Sequence, residues 1–223
     1  PKLSRHLKTG DSNQAQITYS KGAEMVWFVA LPSSFALCLI PLPLVSALFE
    51  HGETSRQDAL AISYATAIYG LGLPAFMIQK LLQPLYFARE DTKTPLRFAV
   101  ISMLLNAILA IALLKVMGWI AVAVAASTSA WVTSILLWIS AKKFGRAASA
   151  LKTSTNRIKR TFFASLVMGI ILWATSQNMY IAMQTSAERV FFAIGLVFAG
   201  STIYLVIVYM LKAFPKNSEK ALN

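Results

Sequence analysis

The sequence predicts an all-α fold, a polytopic membrane helix bundle with six transmembrane helices. Three observations predict it. First, 57% of the 223 residues are hydrophobic and only 13% are charged, which is far more apolar than a soluble domain of this length. Second, the runs 26–49, 59–83, 96–114, 119–141, 161–181 and 190–211 approach or meet the roughly 20 apolar residues needed to cross a hydrocarbon core, with almost no ionisable side chain inside them. Third, the basic residues alternate from loop to loop. Of the 21 Lys and Arg, only Arg56, Lys115 and Arg189 fall on one side, and the rest fall on the other. That asymmetry is the positive-inside pattern, and it predicts that both termini lie in the cytoplasm.

The net charge of +12 therefore does not indicate nucleic-acid binding, which would gather basic residues on one folded surface among aromatic stacking partners. Here they sit at span ends. Cys38 is the only cysteine, and His6 and His51 are assigned to opposite sides of the membrane. No disulfide, metal set or cofactor site is predicted, and no phosphate loop, zinc motif or nucleophile elbow is present.

The first residue is Pro, and the opening "PKLSRHLKTGDSNQAQITYSKG" has no signal-peptide core. The chain reads as a fragment or a cut product. Residues 1–25 are then the cytoplasmic end of a preceding helix, a turn at Gly10 and Asp11, and a linker. In the first span, Pro32, Pro41 and Pro43 each remove a backbone donor. In the second, "YGLGLP" places Gly70, Gly72 and Pro74 close together. Lipid cannot satisfy the carbonyls freed by proline, so neighbouring helices or water must. The helices are expected to pack together, with Gly70, Gly72 and Pro74 forming either a hinge or a static kink. At the cytoplasmic end of this span Lys80, between Gln79 and Gln83, can snorkel to the interface.

The loop "YFAREDTKTP", residues 86–95, carries four charges. Thr94 is a good N-cap, Pro95 suits the first helical position, and Asp91 lies near the positive helix start. Arg89, Lys93 and Arg97 face the anionic cytoplasmic surface. Asn106 lies mid-span with Ala110 one turn on, so a helix–helix hydrogen bond is the simpler reading and ligand contact the other. In the fourth span, Ala121, Ala125 and Ser129, and again Ala126, Ala130 and Ser134, recur every four residues. Each set makes a close-packing face. Ser127, Thr128 and Ser129 either bond back to the preceding turn or line a polar cavity. Acidic residues are absent from the depths of all six spans, which argues against a proton relay within this chain. The assigned organisation is 1–25, a four-helix part at 26–141, a basic loop at 142–160, a final helix pair at 161–211 and a tail at 212–223.

"LYFAREDTKTPLRFAVISMLLNAILA" followed by "GWIAVAVAASTSAWVTSILLW" resembles the C-terminal half of the MurJ (MviN) family, the lipid II flippases of bacterial cell-wall synthesis. Arg89, Asp91, Thr92, Thr94, Pro95, Asn106, Ser127, Ser129, Ala130 and Trp131 match its pattern. The segments "PKLSRHLKTGD" and "ALPSSFAL" are similar to it as well, whereas the last two spans agree in number and length only. The resemblance implies the C-terminal part of a fourteen-helix, two-lobed exporter in the bacterial inner membrane. It also implies transport rather than catalysis. The cargo is lipid II, the undecaprenyl-pyrophosphate-linked peptidoglycan precursor, and the movement is by alternating access to the outer leaflet.

Within the family, the cavity's arginines lie mainly in the N-terminal lobe, which this chain lacks, and the last two helices form a groove for the lipid tail. On that reading Arg89, Asp91, Lys93 and Asn106 are the candidates for substrate contact or gating. The simpler account of the 86–95 cluster is a cytoplasmic hinge-loop and helix start. The alternatives are another lipid-linked oligosaccharide or drug exporter of the multidrug/oligosaccharidyl-lipid/polysaccharide superfamily, or a nonfunctional six-span fragment.

Overall fold

The computed structural model describes residues 12–144, 155–180 and 185–214. Seven α-helices fall within them: α1 (Ser12–Leu39), α2 (Pro41–Phe49), α3 (Arg56–Phe87), α4 (Lys93–Met117), α5 (Ile120–Ala141), α6 (Thr155–Tyr180) and α7 (Ser186–Met210). A 3-10 turn, Lys142–Phe144, follows α5. Six of the helices are long and apolar enough to cross a membrane.

The first span differs from the sequence expectation in two ways. Helix α1 begins at Ser12, so the expected linker boundary at residue 25 falls inside a helix; the turn expected at Gly10 and Asp11 lies outside the described residues. The span is also broken at Ile40 (φ −125°, ψ 42°). Ile40 precedes Pro41, and a residue before proline is pushed out of the α region. Pro41 then opens α2, where its missing N–H costs nothing. Pro32, by contrast, sits inside α1, and Pro74 and Pro84 sit inside α3 without ending it.

Helices α3 and α7 start on capping boxes. Ser55 Oγ accepts from the Asp58 N–H at 3.3 Å while the Ser55 N–H donates to the Asp58 carboxylate at 3.0 Å. Thr185 and Glu188 do the same for α7, at 3.3 Å each way. The signature is Ser or Thr followed three residues later by an acid.

Neighbour contacts run in the order α4, α5, α3, α1, α6, α7, with α2 joining α3 to α7. Helices α3, α5 and α1 meet in a core of Tyr19, Leu82, Leu85, Tyr86, Leu137 and Ala141 at the end carrying the 86–95 turn, called here the basic end. A second core, with Ile40, Ala164, Met168, Leu172, Leu196, Tyr204 and Val208, lies between α1, α6 and α7. Helix α4 is outermost, and Pro95 is its only buried residue. Its exposed face, including Ile108, Ile111 and Val116, is chemically suited to lipid tails, which are as apolar as the side chains themselves.

Candidate functional site

The "YFAREDTKTP" turn closes α3 and opens α4 by two linked devices. The Asp91 N–H donates to the Tyr86 carbonyl at 3.1 Å and the Glu90 N–H to the Phe87 carbonyl at 3.1 Å. With Glu90 left-handed at φ 60°, this is a Schellman closure. Asp91 then caps α4: its carboxylate accepts from the Thr94 N–H at 3.0 Å and from the Thr94 hydroxyl at 2.9 Å. The side chain that closes the first turn is thus Asp91, one residue before the N-cap position Thr92, rather than the expected Thr94, and Pro95 lies inside the helix rather than at its first position. The reason is local. Pro95 has no N–H to give the Asp91 carbonyl, so regular helical bonding begins one residue later, with Leu96 donating to Thr92.

Asp91 also receives the Lys143 ammonium at 2.9 Å. That hydrogen bond first, then the Thr94 N–H, holds the Asp91 carboxyl below the usual carboxylate range. Arg89 donates to the Leu85 carbonyl at 3.1 Å, and its guanidinium lies 4.4 Å from the Phe144 ring centroid. Phe144 in turn packs edge-on against Tyr86, whose hydroxyl donates to the Leu137 carbonyl at 2.6 Å. Arg89 and Asp91 thus fasten the α3–α4 turn to the end of α5. Lys93 is exposed beside them. Asn106 lies thirteen residues further along α4, roughly 20 Å at 1.5 Å per residue, so the four candidates do not form one site. Asn106 is half-buried and meets no hydrogen-bonding partner among the described residues.

The middle of α3 is a close-packed waist. A Cβ on Gly72 would lie 2.8 Å from Ser127 Oγ and 3.1 Å from Ser127 Cα; one on Gly70 would lie 2.9 Å from Leu37 Cβ. Glycine is what lets α5 and α1 press this close. Pro74 cannot donate to the Gly70 carbonyl, and the Ser34 hydroxyl from α1 does so instead at 2.7 Å. From α5, Ser127 donates to the Ile68 carbonyl at 2.8 Å, Trp131 Nε1 to Leu71 at 3.0 Å and Ser134 to Ala75 at 2.7 Å. In return the Gln79 amide donates to the Ala130 carbonyl at 2.8 Å. The small residues Ala121, Ala125, Ser129, Ala130 and Ser134 are all buried, as a packing face requires.

On the other side of α1 the walls stand apart. An apolar groove of about 520 Å³ runs between α1, α2, α6 and α7, lined by Pro32, Ala36, Leu44, Leu172, Val197 and Gly200 among others. A second hollow of about 380 Å³ shares Leu44 and Val197 with it. Two ion pairs tie the final helices to the first two. Arg157 meets Glu24 at 2.8 Å toward the basic end, and Arg189 meets Glu50 at 2.8 Å at the opposite end. Arg189 is one of the three basic residues on the sparsely charged side, and this pair accounts for its place.

A family model described as Lipid II flippase MurJ matches residues 1–198. The chain belongs to the MurJ family. Among curated relatives, it is 32% identical to a probable lipid II flippase MurJ of Rhizobium meliloti over 94% of this chain and 39% of that protein. It is 30% identical to one from Vibrio cholerae over 95% of this chain and 40% of that protein. The chain thus spans about two fifths of the length of these relatives. A solved structure described as lipid II flippase MurJ in an inward closed conformation superposes with a TM-score of 0.73, covering 93% of this chain and 41% of that one, at 24% identity. That likeness shows the MurJ fold, and with the six apolar helices it makes this a multi-pass membrane protein.

Sequence reasoning reached the MurJ family through the 86–131 block but missed Ser34, Tyr204 and both ion pairs. The acceptors had a readable signal, since a proline inside a span frees the carbonyl four residues before it. The donors lie on other helices, as much as 176 residues away, and no local pattern marks them.

Proposed function

We propose that this chain is the C-terminal portion of a lipid II flippase, a carrier rather than an enzyme. It moves the undecaprenyl-pyrophosphate-linked peptidoglycan precursor from the cytoplasmic to the outer leaflet by alternating access. Membership of the MurJ family supports the cargo. The observation that carries the assignment of a role to this part of the protein is the groove of about 520 Å³ between α1, α2, α6 and α7. An isoprenoid tail needs apolar walls and a lateral opening, while the pyrophosphate needs cations that a preceding N-terminal lobe would supply.

In this reading the basic end faces the cytoplasm of the bacterial inner membrane, and the charge asymmetry supports that orientation. The four-helix part at 26–141 forms one wall of the carrier, the basic loop at 142–160 and the tail at 212–223 face the cytoplasm, and the pair at 161–211 holds the tail of the cargo. Arg89, Asp91 and Lys93 act in gating at the cytoplasmic turn. Asn106, which meets no hydrogen-bonding partner among the described residues, faces the transport path. Gly70, Gly72 and Pro74 bend as the carrier alternates.

The test is complementation. The full-length protein should restore growth to cells depleted of their own lipid II flippase, and Ala36→Trp, which fills the groove, should abolish rescue without preventing membrane insertion. Failure of the unaltered protein to rescue despite insertion would sink the assignment.

A further inference from the structure

Pro32 lines the groove and has no N–H for the Phe28 carbonyl one turn before it. That carbonyl is not left bare. The Tyr204 hydroxyl of α7 reaches across and donates to it at 2.6 Å, with the Tyr204 and Phe28 rings 5.3 Å apart. Tyr204 is only 5% exposed. The bond therefore joins the two walls of the groove, α1 and α7, toward the basic end. At the opposite end the walls are joined by Glu50 and Arg189, whose side chains are 7% and 14% exposed.

We propose that Pro32 and Tyr204 are positioning residues that set the width of the groove. Proline releases an acceptor from α1, and tyrosine uses it to hold α7 at a fixed distance. When the bond breaks, α7 swings about the Glu50–Arg189 end and the groove widens toward the basic end. The inference rests on the tail-groove reading for its functional meaning but not for its geometry. The lining is apolar, and the hydroxyls of Ser33 and Ser201 are spent on the Val29 and Val197 carbonyls of their own helices. Width therefore governs which lipid chains enter, and a thick, methyl-branched isoprenoid chain is favoured over a thin saturated acyl chain only when the walls part.

Spin labels at Val29 and Leu205, 47% and 45% exposed on facing walls, would report the width in the full chain reconstituted in liposomes. Tyr204→Phe keeps the ring and removes only the hydroxyl; Pro32→Ala gives the Phe28 carbonyl an N–H from its own helix. Tyr204→Phe is expected to lengthen or broaden the distance distribution, and adding Pro32→Ala to it to widen it no further, because the bond between the walls is already gone. An unchanged distribution in Tyr204→Phe, or additive effects in the double variant, would overturn the proposal. Labelling by a photoactivatable polyprenyl phosphate at Ala36 or Leu172 separates the two readings. Changed distances with labelling confined to saturated-chain probes would refute the tail assignment and the stated lipid preference while leaving the tie intact.

Discussion

The two sides of α1 solve the same problem differently. Against α3 and α5 the helices press together through Gly70, Gly72 and a run of Ala and Ser, and side chains of one helix bond repeatedly to the backbone of the next. Against α6 and α7 the contact is made by large side chains such as Phe28, Leu172 and Tyr204, which leave a groove, and the gap is bridged by a few strong ties. Lipid offers little hydrophobic drive for helix association, so packing and polar bonds must hold both. The waist spreads that work over many small contributions. The groove concentrates it in single interactions, which leaves room for a guest and makes each tie hard to replace.

The contrast predicts an order of sensitivity. Glu50→Gln leaves the Arg189 charge without its carboxylate in a mostly buried place, and should cost about 3 kcal/mol in reversible unfolding from detergent micelles. A loss as small as that of a waist hydroxyl would break the comparison. Next, Gly72→Ala should cost about 2 kcal/mol, since the new Cβ meets Ser127 backbone that cannot move without parting α3 from α5. Gly200→Ala should stay within about 0.5 kcal/mol, because there the neighbour is the tip of Leu172 beside open groove; equal costs at the two glycines would remove the distinction between waist and groove. Ser34→Ala should cost about 1 kcal/mol, a typical worth for one interhelical hydrogen bond in a membrane.

The smallest effect belongs to neither side. Asp91 has its folded-state pKa lowered, chiefly by Lys143, so its contribution is complete above the ordinary carboxylate value and is lost as pH falls through the lowered one. Thermal midpoints should therefore decline on acidification below that range, and Asp91→Asn should flatten the decline. A decline unchanged by Asp91→Asn would assign it to other carboxylates.

The six spans were legible because each needs a long apolar run, and that run is dictated by the bilayer itself. Helix ends were less so. Hydropathy marks the part of α1 that matches lipid, not the polar turns from Ser12 onward, and it does not distinguish Pro41, which ends the helix, from Pro32, which the helix tolerates. The 86–95 cluster was correctly placed as a turn and helix start. Its cap was assigned to Thr94 because Pro95 suits a first helical position, whereas the carboxylate that reaches the Thr94 N–H and hydroxyl is that of Asp91. Asn106 was expected to bond another helix, and the described residues supply no such partner, a fact that depends on which helices lie beside α4 and so cannot be read from α4 alone. The small-residue faces of α5 were plain, since a spacing of four on a helix is a geometric statement in the sequence itself.

The bond between Tyr204 and the Phe28 carbonyl also has a meaning in time. A membrane protein is inserted from its N-terminus, so α1 enters the bilayer well before α7 is synthesised. The Gly70 carbonyl meets no such delay, because its donor, Ser34, precedes it. Until Tyr204 arrives, however, the Phe28 carbonyl lacks that partner, a liability of up to several kcal/mol if it faces hydrocarbon. Chains truncated after α5 should therefore hold α1 less firmly than complete ones, which extraction of nascent chains of increasing length would show, and Pro32→Ala should abolish the difference.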